Sequence, residues 1–292
     1  MAESAGYIEP EKVLGFEYEP HTHRYTERDV SLYALGIGAA QDALDRQELR
    51  FVYEQHKDGH KTLPTFGVLF PMFGLGRGQV PGLEYRVENG LHGEEYLELY
   101  RPLPTTATIT CNGKITGVYD KGSGAVLITE ATTFDENGDE LAKHESTVFI
   151  RGIGGFGGDR GPSGKVNFPP DREPDKVYSE KIADNQPLLY RLSGDRTSLH
   201  IDPDVARAGG FDRPILHGLC TYGFASRAVL KTYAENDPDR FKSMKVRFAK
   251  PVYPGETLIT EMWKETDTDI IFRCKVMERD AEVLTNARFR LR

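Results

Sequence analysis

The chain states one order of elements twice, about 150 residues apart, and that duplication constrains its fold more than any other feature. In the second half a turn-rich loop (190–202) leads through Pro214-Ile-Leu-His-Gly-Leu219 into an apolar segment near 218–235 with helical spacing. Strands rich in β-branched residues follow, at Val246-Arg-Phe-Ala249, Thr257-Leu-Ile-Thr-Glu-Met-Trp263, Ile270-Ile-Phe-Arg-Cys-Lys-Val276 and Leu284-Thr-Asn-Ala-Arg-Phe-Arg-Leu291. In the first half Tyr25-Thr-Glu-Arg-Asp-Val-Ser-Leu-Tyr33 takes the place of the loop, Leu63-Pro-Thr-Phe-Gly-Val68 that of the helix start, and Leu97-Glu-Leu-Tyr-Arg-Pro-Leu-Pro104 that of the first strand. Strands are then expected around 106–111, 125–134 and 146–151, with Asn112-Gly113 and Asn137-Gly138 as hairpin turns. One helix of about four turns lying against a long antiparallel sheet is the α+β arrangement these elements imply.

The most informative chemistry lies in the second copy. Tyr190-Arg-Leu-Ser-Gly-Asp-Arg-Thr-Ser-Leu-His-Ile-Asp202 sets a carboxylate, Asp195, and an imidazole, His200, five residues apart. Some eighteen positions later Phe211-Asp-Arg-Pro-Ile-Leu-His-Gly-Leu219 ends in a glycine that opens the apolar helix. A carboxylate and a histidine together can move the protons of adding or removing water. A glycine amide at a helix N-terminus can stabilise an oxyanion. Taken singly, Asp195 is most simply a turn or cap residue and His200 a structural imidazole. Their order ahead of Gly218 points instead to a lyase site. His217 is expected to shape the loop by hydrogen bonding, and Asp202 to cap the next short helix.

These motifs resemble the R-specific enoyl-CoA hydratases, the hydratase 2 branch of the MaoC-like family. Their pattern runs Y-x-L-S-G-D-x-N-P-L-H-x-D and then G-F-x-x-P-I-L-H-G-L. Further stretches are similar to the two-domain members: Tyr33-Ala-Leu-Gly-Ile-Gly-Ala39, Leu91-His-Gly-Glu-Glu-Tyr96, Asp120-Lys-Gly-Ser-Gly124, Gly154-Gly-Phe-Gly-Gly158 and Lys245-Val-Arg-Phe-Ala-Lys-Pro251. The resemblance implies an α+β double hot-dog fold, two hot dogs packed as a pseudo-dimer, and a (3R)-hydroxyacyl-CoA hydro-lyase of fatty-acid β-oxidation, with Asp195 and His200 handling water and the Gly218 amide the thioester oxygen. It implies substrate or CoA contacts at His92, Gly93, Lys121, Arg196, Thr197, Ser198, Leu199 and Phe248. No metal or cofactor is expected beyond the CoA thioester itself, and a homodimer is. This chain departs from the pattern at Thr197-Ser198, where Asn-Pro is usual. Threonine offers a hydroxyl of shorter reach, and serine gives up the fixed φ of proline. A dehydratase of another lipid pathway, a hot-dog thioesterase and a non-catalytic acyl-CoA-binding protein are the alternatives.

The halves are expected at 1–150, a degenerate copy turned into an acyl-chain pocket, and 181–292, the catalytic copy, joined by a Gly- and Pro-rich linker at 151–180. In the first copy Asp29 stands near the place of Asp195, but no histidine follows at the right distance. The small run Ala34-Leu-Gly-Ile-Gly-Ala-Ala40 either leaves space for a chain or permits close helix packing. Gly152-Ile-Gly-Gly-Phe-Gly157 spells G-x-G-x-x-G, but no amphipathic helix follows, so a nicotinamide site is rejected. Neither His21 with His23 nor His56 with His60 has the partners of a metal site.

Forty-five acidic against 37 basic side chains give a net charge of −8, which argues against general nucleic-acid binding. Cys111, Cys220 and Cys274 suit a reducing compartment. The most apolar run, Gly67 to Leu75, is broken by Pro71 and falls well short of the roughly 20 residues of a span. With no secretory signal at Met1-Ala-Glu-Ser-Ala-Gly6, an intracellular place is expected, cytoplasmic or peroxisomal. The C-terminal Arg290-Leu-Arg292 is not a clear peroxisomal address.

Overall fold

A computed structural model describes residues 6–75, 79–162 and 166–292; the N-terminal signal reading falls largely on 1–5, and Gly164 of the linker also lies outside the described residues. Twelve strands are described: β1 (Gly6–Ile8), β2 (Glu17–Tyr25), β3 (Leu83–Tyr85), β4 (Gly90–Leu99), β5 (Ala107–Asp120), β6 (Gly124–Phe134), β7 (Glu140–Arg151), β8 (Lys176–Lys181), β9 (Phe241–Phe248), β10 (Thr257–Lys264), β11 (Asp269–Val276) and β12 (Ala281–Leu291). The α-helices are α1 (Pro10–Val13), α2 (Glu27–Gly36), α3 (Arg46–Leu49), α4 (Gln186–Tyr190), α5 (Pro203–Ala208) and α6 (Gly218–Tyr233).

Ten of the strands form one sheet in the order β2-β5-β6-β7-β4-β9-β12-β11-β10-β8. Reflected about its middle, that order reproduces the chain order of each half, β2, β4 to β7 and β8, β9 to β12, so the duplication is a structural fact. The halves join where β4 pairs antiparallel with β9, Glu94 opposite Arg247 and Leu97 opposite Met244. Arg247 and Lys245 both reach Glu94 across this seam, at 2.6 and 3.4 Å. Pro20 sits within β2, an edge strand with a bulge between Tyr18 and His21, where a missing amide donor is tolerated.

Helix α6 fills the trough of the second half. Every residue from Leu219 to Leu230 is buried, among them Tyr222 and Phe224, each worth about 1.5–3 kcal/mol of burial as a large apolar side chain. Arg227 lies in the same run, 1% exposed, and cross-links the halves. Its guanidinium binds Glu48 of α3 at 2.5 Å, Glu180 of β8 at 3.0 Å and the carbonyl of Ile37 at 3.0 Å.

Among the described residues the first half has no helix as long as α6. Where Leu63-Pro-Thr-Phe-Gly-Val68 predicts a helix start, the chain makes two short 3-10 turns, Pro64–Leu69 and Pro71–Phe73. Pro71 has no amide to donate, so although Phe70 keeps right-handed helical backbone the chain makes a second short turn there and not one continuous helix. Asn112-Gly113 is a second correction, because both residues lie inside the fourteen-residue β5 and Gly113 pairs with Tyr18 and Ala131. A Cβ there would press on Leu75 and Tyr18, so the glycine serves packing, and the turn comes later, at 121–123. The Asn137-Gly138 turn is present, with Gly138 at φ +84° and the Asp135 carboxylate accepting from the amides of Asn137 and Asp139. The segment 151–180 also contains β8, which closes one edge of the sheet.

Candidate active site

The turn of 190–202 holds Asp195 through its own neighbour. Thr197 donates to Asp195 Oδ1 from its amide at 3.1 Å and from its hydroxyl at 2.7 Å. His200 follows on a 3-10 turn (Ser198–His200), and its Nδ1 lies 2.9 Å from the carbonyl oxygen of Ile215. That oxygen only accepts, so Nδ1 carries the proton and Nε2 is the basic nitrogen when the ring is neutral. Leu216 donates to the Val252 carbonyl at 2.7 Å, which pins the 211–217 loop against the end of the second-half sheet.

His217 stacks on His200 with ring centroids 3.8 Å apart. Its Nε2 donates to the backbone oxygen of Asp195 at 3.1 Å, so His217 ties the start of α6 to the 190–202 turn, as a loop-shaping residue should. Asp202 caps α5, accepting from the amides of Asp204 and Val205 at 2.8 and 3.3 Å.

The electrostatics set these groups apart. Burial pushes the Asp195 carboxyl up, but His217, the Thr197 hydroxyl and His200 outweigh it and hold it below the ordinary carboxylate range. Burial lowers His200, against the opposing pull of Asp195. Burial, with His200 beside it, takes His217 down to about 3. At neutral pH the set is therefore one carboxylate with two neutral imidazoles.

Gly218 is the first residue of α6, where a backbone amide has no partner inside the helix. A Cβ at this position would meet the Phe248 ring at 3.2 Å, so glycine is what lets the two lie so close. Phe248 in turn packs on His92 with centroids 4.7 Å apart.

These residues line one cavity of about 770 Å³: Asp195, Thr197, Ser198, Leu199, His200, Gly218, Phe248 and His92 all contribute. The other three expected contacts stand apart from its wall. Gly93 lies at the bulge between His92 and Glu94, Arg196 is exposed on the turn, and Lys121 sits in the β5–β6 turn with its ammonium on the Arg160 carbonyl. The first half contributes Val68, Pro71 and Met72 from the 3-10 turns and Glu95, Thr129, Ala131, His144 and Ser146 from its sheet. None of Ala34 to Ala40 lines it. A Cβ on Gly36 would stand 3.2 Å from Tyr190 Cα, and Gly38, at φ +82°, lies against Phe224, so these glycines allow close packing. The sequence did not single out Glu95 or His144; both fall at alternating strand positions that read as ordinary sheet residues.

Asp29 has become a cap. Its Oδ2 accepts from the amide and hydroxyl of Thr26 at 2.8 and 2.9 Å, completing a capping box at the start of α2. The glycine-rich loop after β7 is held down by Asp120, whose carboxylate accepts from Gly122, Gly155 and Gly157 at 2.7, 2.9 and 2.7 Å. Among the described residues the next element after it is β8. Asp195, His200 and His217 bring one donor atom each within 4.8 Å of one another and could hold a metal ion. No helix among the described residues is long and apolar enough to cross a membrane.

Comparison with known proteins places the whole chain. The family model of the MFE-2 hydratase 2 N-terminal domain matches residues 23–152, and that of the MaoC-like domain matches residues 165–287. Enoyl-CoA hydratase 2, peroxisomal, of Arabidopsis thaliana is 43% identical over 299 residues, covering 97% of this chain and 96% of that one. Peroxisomal multifunctional enzyme type 2 of Mus musculus is 45% identical over 293 residues, covering 98% of this chain but 38% of the relative. Among solved structures, the MaoC-like dehydratase from Phytophthora capsici superposes with a TM-score of 0.86 at 36% identity, over 98% of this chain and 99% of that one.

Proposed function

We propose that this chain, which belongs to the family of MFE-2 hydratase 2 and MaoC-like proteins, is a hydro-lyase that reversibly adds water to a trans-2-enoyl-CoA to give the (3R)-3-hydroxyacyl-CoA of fatty-acid β-oxidation. The observation that carries this reading is the convergence of Asp195, His200 and Gly218 on one largely apolar cavity. A water held between Asp195 and His200 Nε2 gives its oxygen to Cβ, one proton passes to this pair, and a proton is delivered to Cα. Thr197 spends both donors on Oδ1, so Oδ2 is the carboxylate oxygen left to face the water. The charge that develops on the thioester oxygen meets the Gly218 amide and the positive end of the α6 dipole. Each of the two acid–base groups is worth about 10²–10⁴-fold. Both standing on one face of the substrate gives syn addition.

Thr197, standing where the family pattern has asparagine, orients the Asp195 carboxylate through its hydroxyl, which supports turnover over mere binding. The reaction as drawn uses no group besides the CoA thioester and these side chains. The first half, 1–150, supplies part of the acyl pocket through Val68, Met72 and Ala131, and 181–292 supplies the chemistry, with 151–180 between them. We extend the proposal to a homodimer in the peroxisome or cytoplasm. Chiral analysis of the product from trans-2-decenoyl-CoA tests the reaction. A 3R product is expected, and an unchanged substrate or a 3S product would overturn the assignment.

A further inference from the structure

The sheet wall of the cavity carries chemistry that the hydration does not use. Cross-strand register sets Glu95 of β4 opposite Ser146 of β7, and Ser146 opposite Thr129 of β6. Three polar side chains therefore stand in one row on one face of the sheet. His92 Nε2 completes the row, 2.9 Å from Glu95 Oε2 and 3.2 Å from Ser146 Oγ. One step along the strands, His144 lies opposite Leu97 and Ala131, and its Nδ1 has no hydrogen-bond partner. All five line the cavity, and Glu95 and His144 are only 4% and 2% exposed.

Such a row is costly. A buried carboxyl loses hydration that its neighbours restore only in part, and apolar residues of the same volume would cost less. A wall meant only for an unsubstituted hydrocarbon chain has no use for it. We propose that His92, Glu95, Thr129, His144 and Ser146 form a polar subsite that recognises a hydroxyl group on the acyl chain of the thioester substrate. This rests on the hydratase reading of the same cavity. Phe248 lies between Gly218 and His92, so the row begins one aromatic ring away from the place of the thioester. The phosphates of CoA must stay near solvent, where Thr197 and Ser198 are exposed, which leaves the buried row to the acyl part. Burial pushes the Glu95 carboxyl up despite the opposing pull of His92, which favours an uncharged partner over an ionic one. A hydroxyl both donates and accepts, and the row offers both kinds of partner.

The test is calorimetric binding of decanoyl-CoA and of hydroxydecanoyl-CoA esters with the hydroxyl at carbon 4 or at successive carbons beyond it, none of which the hydratase reaction can hydrate or dehydrate. At least one isomer is expected to bind the wild-type protein about 3- to 10-fold more tightly than decanoyl-CoA, the range of one net hydrogen bond. Glu95→Leu should reverse that ratio, and Glu95→Gln, which keeps a donor and an acceptor, should preserve it. If every hydroxylated ester binds the wild type more weakly than decanoyl-CoA, the subsite is refuted. An equal loss for all esters in Glu95→Leu would assign the row to the pantetheine amides and refute it too. Should Glu95→Leu not fold, Ser146→Ala is read by the same ratio. Turnover of trans-2-decenoyl-CoA is measured separately, so failure of the hydratase reading shows there and leaves the binding ratios to decide the subsite.

Discussion

The two halves share a strand order and differ in what covers the sheet. The second has α6, sixteen residues long, and among the described residues the first sets the short turns at Pro64–Leu69 and Pro71–Phe73 in the corresponding place. The loops that precede them differ in the same sense. Asp195 faces the cavity with His200 behind it, and Asp29 is absorbed into a capping box. Losing helix length uncovers a stretch of sheet, and that stretch becomes cavity wall. On the proposed function, the duplicated fold gives chemistry to one copy and space to the other without changing its topology.

The sharpest way to break this comparison is to remove the same atom type from both copies. Asp195→Asn should lower kcat about 10²–10⁴-fold, with the fold kept. Asp29→Asn should leave kcat within a few-fold and cost at most about 1 kcal/mol of stability through the weakened cap. Steady-state rates and urea midpoints read both, and comparable losses of rate would contradict the division of roles.

Next comes the joint between the halves. Arg227→Ala leaves Glu48 and Glu180 without their main cation and should cost about 3–5 kcal/mol in denaturant unfolding. Arg227→Met with Glu48→Leu and Glu180→Leu should recover much of that loss, because no buried carboxylate is then left without its cation.

A smaller effect separates the halves by pH. Burial lowers both His144 and His217 to about 3 from an ordinary 6.5. Above pH 6.5 neither the folded nor the unfolded chain protonates these rings appreciably, so their stability contribution is fully present. As pH falls from there towards about 3, the unfolded chain takes up protons that the folded one refuses, and stability is lost. His144→Gln should flatten the slope of urea midpoint against pH over that window. An unchanged slope would mean that His144 is not held neutral by the fold.

Much of this was legible in the chain. The β-branched runs and their spacing announce the sheet, and Gly218 after His217 announces the start of α6. The proposed catalytic pair was legible because a short turn brings Asp195 and His200 together locally. What sequence could not show arises from register and packing. Asn112-Gly113 has the composition of a turn, but Leu75 and Tyr18 use its missing side chain inside β5. Leu63 to Leu75 carries enough apolar residues for a helix, and Pro71 decides against it. Glu95, Ser146 and Thr129 are far apart along the chain and meet only through the pairing of β4, β7 and β6. Lys121 and Gly93 belong to motifs that resemble the family's, yet stand off the cavity wall described here.

The central claim is that the first half holds the chain while the second transforms it. Ala131, 5% exposed on β6, lines the cavity from the first half only. Measuring kcat/KM for Ala131→Phe with crotonyl-CoA and with trans-2-decenoyl-CoA tests the claim directly. The account predicts that the ratio of long-chain to short-chain efficiency falls by about tenfold or more, because the added ring occupies space that only the longer chain needs. An unchanged ratio, whether both rates hold or both collapse together, would contradict it.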